Sequence, residues 1–181
     1  MTAPTVRPIR ADEWELVRDL RKRAVRDPAA AVAFVDSVAR TDSLPDAFWQ
    51  ERAGGGSVDA GDDARSRQFV AIDDRGRWIG SATGLLERAG DTDFDGRTVP
   101  EDGCLVVGVY LDPAHRGAGL LGRLFDAVQE WAVEHGATSL RLSVHRSNPR
   151  ARRAYEKLGF EPTGASFTGA IGPEWELRRP H

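Results

Sequence analysis

Cysteine occurs once in the 181 residues, at Cys104. No internal disulfide can form, and no cysteine-rich zinc site. Long apolar runs are missing as well: the longest, Cys104 to Leu111, has eight residues, far short of the ~20 that cross a bilayer. Neither sign of charge dominates, with 25 Lys plus Arg against 28 Asp plus Glu and a net charge of −3. The basic stripe of a general nucleic-acid binder is therefore not expected. The first ten residues, M-T-A-P-T-V-R-P-I-R, hold no apolar segment of the kind a secretory signal needs. These absences point to a soluble, cytoplasmic protein. Its length suits a single domain over residues 1–181, which buries roughly 70% of its unfolded surface without a disulfide or a structural metal.

Hydrophobic periodicity lays out the elements. Thr5 to Arg10 reads as a first strand, and Asp12 caps a helix on which Trp14, Leu16, Val17, Leu20, Ala24 and Val25 fall near helical spacing. Pro28 interrupts it, and helical stretches follow over Ala29–Ala39 and Leu44–Ala53. Gly54 to Asp63, polar and Gly-rich, reads as a mobile loop. Gln68–Asp73 and Trp78–Glu87 pair as a hairpin around the turn signal Asp73-Asp74-Arg75-Gly76. An acidic loop runs from Ala89 to Asp102, and Gly103–Leu111 is an apolar strand buried on both faces. A long amphipathic helix over Gly117–His135 ends at Gly136, where a helix-terminating glycine belongs. Leu140–His145 is a strand, Asn148–Leu158 a helix, and Phe160–Thr163 and Trp175–Arg178 are closing strands. Antiparallel hairpins followed by a single βαβ crossover make the sheet mixed.

The most informative stretch runs from Leu111-Asp112-Pro113 through Arg116-Gly117-Ala118-Gly119-Leu120-Leu121-Gly122. A strand stops, and a Gly-rich turn opens a long helix. Such glycines let backbone approach a ligand, and the unpaired amides of a first helical turn form an anion site; Arg116 and Arg123 add positive charge beside it. Three phosphate binders use turns of this kind. A Walker A loop fails, because Arg123-Leu124 follows Gly122 where Lys-Ser/Thr is required. A dinucleotide fingerprint is met literally by Gly117, Gly119 and Gly122. It fits poorly, because Pro113 to Arg116 separate strand from glycine and the next strand, Ser143-Val144-His145-Arg146, ends without an acid.

The third is acyl-coenzyme A. Arg116 to Leu121 resembles the pyrophosphate loop of the GNAT superfamily of N-acetyltransferases, R/Q-x-x-G-x-G/A after a strand ending near x-D-P. It matches at Arg116 and Gly119, and Leu121 stands where the family has Gly or Ala; a side chain there pointing into the core is tolerable. Arg141-Leu142-Ser143-Val144, Asn148, Ala151 and Tyr155-Glu156-Lys157-Leu158-Gly159-Phe160 resemble the strand-helix-strand ending of the same superfamily. The resemblance is detailed over about residues 103 to 163 and looser over the rest. It implies an α/β (α+β) fold: a mixed, mostly antiparallel central sheet, helices on both faces, and splayed strands 4 and 5 around the ligand. It also implies acetyl-CoA as cosubstrate and an amine acceptor, small molecule or peptide, with neither nucleic acid nor membrane as partner.

Gly108 interrupts its strand, as a bulge glycine does or as one that relieves packing against a helix. The resemblance has the backbone of Val109 and Leu111 pair with an extended pantetheine arm, the Val109 amide facing the thioester oxygen. It gives Gly117, Ala118, Gly119, Leu120, Leu121 and Gly122, with Arg116, to the pyrophosphate. Asn148 and Tyr155 lie two helical turns apart on one face. By resemblance Asn148 bonds the pantetheine region and the Tyr155 hydroxyl protonates the departing thiolate. Residue by residue, Asn148 before Pro149 is also a good helix cap, and Tyr155 an ordinary core position.

No general base stands out: many members of that superfamily place a Glu in strand 4 or 5, the strand-5 position here is Ser143, and Glu87, Glu101, Asp102, His145 or a water chain are open. In the acidic loop, Asp91, Asp93, Asp95 and Gly96 match the start of a calcium loop, but Asp102 stands where its closing Glu belongs, the flanking helices are missing and no metal is expected. The loop's charge is a solvated turn or a lure for a cationic amine. Cys104 reads as core. The expected function is acetyl transfer to a primary amine by direct attack; a non-catalytic acyl-coenzyme A-binding or sensing module is the alternative, a dinucleotide binder the third. The strand Trp175–Arg178 could pair across a homodimer.

Overall fold

The computed structural model describes residues 3–93 and 96–181. The elements are β1 (Thr5–Pro8), α1 (Trp14–Ala24), α2 (Val38–Ser43), α3 (Asp46–Gly56), β2 (Ser66–Ile72), β3 (Trp78–Glu87), β4 (Gly103–Leu111), α4 (Leu120–Glu134), β5 (Ser139–His145), α5 (Pro149–Lys157), β6 (Glu161–Gly169) and β7 (Gly172–Pro180). Seven strands form one sheet in the order β1-β2-β3-β4-β5-β7-β6. Every pairing is antiparallel except β4 with β5. This is the mixed, mostly antiparallel sheet that the sequence implies.

Two layers of helix cover it. Leu120, Leu124, Phe125, Val128 and Trp131 of α4 bury their stripe against Phe69, Ala71, Ile79, Cys104 and Leu140, and Ala151, Tyr155 and Leu158 of α5 join that core. On the other face Val17, Leu20 and Ala24 of α1 meet Trp49 and Ala53 of α3 over Val70, Trp78 and Tyr110. Alternate residues of β2 thus serve opposite layers, as the period of two requires.

Three stretches differ from expectation. The helix expected over Ala29–Ala39 is a single 3-10 turn at Ala30–Val32 followed by α2. Asp27 turns its carboxylate back onto the Ala29 amide at 2.9 Å, and Ser37 caps a new helix by accepting from the Arg40 amide, so one helix cannot run through. Gly54 to Gly56, read as loop, form the last turn of α3. Ala53 and Gly56 are buried beneath β2, and packing there overrides the ~1 kcal/mol per residue that glycine costs a helix. β7 lies between β5 and β6, so both edges of Trp175–Arg178 are paired and that strand cannot pair across a dimer.

β4 controls the site. From Thr83↔Val107 to Ser81↔Tyr110 it advances three residues while β3 advances two. The extra residue is a bulge at Gly108, whose φ of +62° is left-handed. The bulge flips the alternation: Cys104 and Val106 face the α4 layer before it, Val109 and Leu111 after it. β4 and β5 share two register pairs, Cys104↔Leu140 and Leu105↔Arg141, and then part.

An ion cluster clamps the closed end of that wedge. Arg141 of β5 donates to both carboxylate oxygens of Glu87 on β3, at 2.6 and 2.5 Å, and reaches Asp93 and Glu176 at 3.0 Å each. Arg97 adds bonds to Asp93 and Glu176. Burial opposes the charge on Asp93, yet the Arg97 amide and the two guanidinium groups hold its carboxyl below the ordinary range.

Arg141→Met should cost about 3–5 kcal/mol, because Glu87 is left buried without its cation. The pH dependence fixes the cause. With Arg141 present, the stability that Asp93 contributes is complete above its unfolded value near 3.9 and is lost as pH falls through its lower native value. In Arg141→Met the crowded carboxylates should gain stability on acidification from pH 7 to 5. Urea unfolding of both proteins at the two pH values measures this.

Candidate functional site

Beyond Leu105 the free edge of β4 faces a cavity of about 770 Å³ rather than another strand. The Asp112 amide is bonded to Ile79 on β3. Strand alternation therefore turns the backbone groups of Val109 and Leu111 the other way, toward the gap. Leu111 spends part of its capacity, since its carbonyl accepts from Arg116 Nε at 2.9 Å.

The turn into α4 forms one wall. Gly117 and Gly119 adopt φ of +84° and +76°, which is why the helix begins at Leu120 rather than at Gly117. From Gly117 to Gly122 the backbone amides find no acceptor among the described residues. Gly117, Gly119, Leu121 and Gly122 line the cavity. Ala118 and Leu120 do not: Ala118 is exposed and Leu120 is core. Leu121, expected to point inward, sits at the boundary and touches both core and cavity. Gly122 has a further duty, because a side chain there would press on Leu158 of α5 at 3.2 Å.

Arg116 is not a free phosphate cation. Its guanidinium is bonded to Asp27 as well as to the Leu111 carbonyl, fastening the turn to the loop after α1. Burial opposes the charge on Asp27, but the Ala29 amide and the neighbouring guanidinium groups hold its carboxyl below the usual range. Arg123 is spent on the Pro4 carbonyl and does not line the cavity. The positive wall comes instead from Arg150, Arg153 and Lys157 on α5. These lie at i, i+3 and i+7 on one stripe, a spacing visible in the sequence that the glycine motif overshadowed.

Asn148 and Tyr155 both line the cavity. Asn148 is the N-cap of α5, its Oδ1 accepting from the Ala151 amide at 3.1 Å while Nδ2 donates to the Val32 carbonyl. It has one amide hydrogen left to offer. Tyr155 packs beside Phe125 and Phe160, and burial pushes its phenol up to about 12. Its hydroxyl has no hydrogen-bond partner among the described residues.

The expected bases separate. Glu87, Glu101 and Asp102 are held by Arg141, Arg178 and Arg88 and lie away from the cavity. His145 lines it, but Nδ1 accepts from the Ser147 amide at 3.1 Å, so the neutral ring carries its hydrogen on Nε2 and offers no free lone pair. Ser143 also lines the cavity, its buried hydroxyl without a hydrogen-bond partner among the described residues. Glu174, which sequence reasoning missed, enters from β7 opposite His145. No local motif marks it; only the β5–β7 pairing brings it there.

Two other readings lose their basis. Asp91, Asp93 and Asp102 are paired with Arg65, Arg97 and Arg88, so these three carboxylates are neutralised rather than a lure for a cation. Asp95 lies outside the described residues, and among those described no three His, Cys, Asp or Glu residues are placed to hold a metal ion. A dinucleotide fold needs a doubly wound parallel sheet, whereas β4 runs antiparallel to β3. Cys104 is core, its thiol pushed up to about 12 by burial, far from a reactive thiolate. No helix among the described residues is long and apolar enough to cross a membrane.

The chain is 33% identical to the streptothricin acetyltransferase of Streptomyces lavendulae over 100 residues, 55% of this chain and 47% of that relative. The match thus spans about half the length of that curated relative. The fold superposes on a phosphinothricin acetyltransferase from Sinorhizobium meliloti, solved in complex with acetyl-coenzyme A, with a TM-score of 0.71 and 20% identity over 99% of this chain and 89% of that one. It superposes likewise on the PaiA N-acetyltransferase from Thermoplasma acidophilum, solved with coenzyme A, with a TM-score of 0.73 and 15% identity over 99% and 100% of the two chains. A model of the acetyltransferase (GNAT) family matches residues 20–160, most of the wedge and both of its helical walls, and this chain belongs to that family.

Proposed function

We propose that this chain transfers the acetyl group of acetyl-coenzyme A to a primary amine by direct attack. One observation carries the reading: a single cavity, opened by the parting of β4 and β5, collects helix-start amides and a Tyr155 hydroxyl that have no partner among the described residues, together with the free edge of β4. Relatives solved with acetyl-coenzyme A or coenzyme A share the fold. In this reading the amides of Gly117 to Gly122 take the pyrophosphate, with Arg150, Arg153 and Lys157 supplying the charge. The pantetheine arm adds to β4 as a strand would, and Val109 N–H faces the thioester oxygen, where attack builds an oxyanion.

Amine nitrogen bonds to the carbonyl carbon, the carbon–sulfur bond breaks, and the amine gives up one proton while sulfur gains one. Tyr155 donates to the departing sulfur. Because its phenol sits near 12 and a thiol near 8.5, its contribution is chiefly a hydrogen bond to the developing thiolate, which then takes its proton from solvent. Glu174, which lines the same cavity, is placed to receive the amine proton, directly or through water. Mixing the protein with acetyl-coenzyme A and a panel of amines, while following free thiol, tests the reaction. Tight binding with no thiol released on any amine would make the chain a sensing module instead.

Gly119→Val should weaken acetyl-coenzyme A binding at least tenfold in a calorimetric titration. A β-branched residue does not hold the left-handed cap at φ +76°, so the amides lose their aim. Nothing lies within 4 Å of the added carbon, so the fold should survive with a cost of about 1–2 kcal/mol. Tyr155→Phe should lower kcat by about 10²-fold, the usual cost of one transition-state donor, with KM and melting temperature little changed. The wild-type kcat should show no alkaline limb from the phenol below pH 10, since the group stays protonated there.

A further inference from the structure

From the geometry of the N-terminal helices we infer that the acceptor carries an acidic group as well as its amine, and that Arg52 is the residue that selects for it. The inference rests on the acetyl-transfer reading and names the substrate class of the same cavity. Arg52 projects from α3 into the cavity, half-buried, and also borders a small hollow of about 20 Å³ under Gly108 and Tyr110. It makes no ion pair or hydrogen bond with any described residue.

Its neighbours make that notable. The other arginines of α1 to α3 each face a carboxylate: Arg18 with Asp46, Arg21 with Asp36, Arg23 with Asp112 and Arg40 with Asp36. Arg21 stands beside Arg52 in the cavity wall. Burial, then the charge of Arg21, pulls the Arg52 guanidinium down from its ordinary value, against Asp36. A guanidinium keeps its proton regardless. It therefore stays a cation that a ligand anion can compensate, and a planar fork suits a carboxylate or a phosphorus oxyacid.

Another wall has the opposite chemistry. From β5 and β7 the same cavity is lined by Ser143, His145 and Glu174, while Phe34, with its ring centroid 4.5 Å from the Arg21 guanidinium carbon, supplies apolar surface. An acceptor with its acid on Arg52 and its amine toward the β5–β7 wall is held in one orientation. A polyamine would instead place a second cation against Arg21 and Arg52, which costs affinity. The acceptor class is an amino acid or a close analogue of one.

The test compares α-amino acids with their decarboxylated amines, and with spermidine, in thiol-release kinetics on the full chain. Amino acids should be preferred in kcat/KM by about 10- to 100-fold, the range for a hydrogen-bonded charge pair. Arg52→Gln should erase that preference, lowering kcat/KM for amino acids by the same factor while leaving the decarboxylated amines and the acetyl-coenzyme A affinity near wild type. Arg52→Lys should recover part of the loss. Preference for decarboxylated amines or spermidine, no release with any amino acid, or an equal fall for both classes in Arg52→Gln would overturn the role of Arg52. Failure of the wild-type chain to bind acetyl-coenzyme A would overturn the transfer reading together with it.

Discussion

Two backbone pairs join β4 to β5, Cys104 with Leu140 and Leu105 with Arg141, and the cavity exists because there is no third. A parallel pair that ran on would consume the edge of β4 and close the space. Gly108 prevents this from within the strand. The bulge keeps β4 in register with β3 on one side while bending it out of reach of β5 on the other. At the closed end the Arg141 cluster ties β3, β5 and β7 together across β4. The wedge is thus held shut at one end by charge and opened at the other by a single left-handed glycine.

Arginine is put to several uses around this wedge, and its partners decide which. Arg141 and Arg116 face buried carboxylates and act as fasteners, one at the base of the wedge and one at the glycine turn. Arg123 holds the N-terminal segment. Arg153 and Lys157 remain exposed along the cavity and give it a sign that the net charge of −3 does not suggest. Inside a cleft with low-dielectric walls such a local excess counts for more than the balance over the whole surface. The acidic loop shows the converse: Asp91, Asp93 and Asp102 each meet an arginine.

The features that could be read from the chain are those with a local cause. Gly117 and Gly119 adopt the left-handed backbone that their spacing implies, and Gly108 makes the bulge its place in an apolar strand suggests. The helix carrying Asn148 and Tyr155 turns both toward one cavity because seven residues make two turns. Where the cause lay elsewhere, reading failed. Gly54 to Gly56 look like a loop until β2 packs on them, and Ala29 to Ala39 look like a helix until Asp27 folds back and is pinned by Arg116 from the far side of the cavity.

The sequence by itself determined the order of the elements, the anion-binding turn, the family resemblance and the helix that carries Tyr155, because periodicity and glycine conformation act over a few residues. Tertiary structure decided which charges are free. Arg116 stands in the glycine motif and Arg52 in none, and neither setting tells which guanidinium is paired. Only the fold pairs one with Asp27 and leaves the other without an ion pair among the described residues, and it brings Glu174 to the cavity through a strand pairing with His145 across about thirty residues. The reason is physical: an ion pair depends on distance in space, and the strands and helices that set those distances are joined by contacts far apart in sequence.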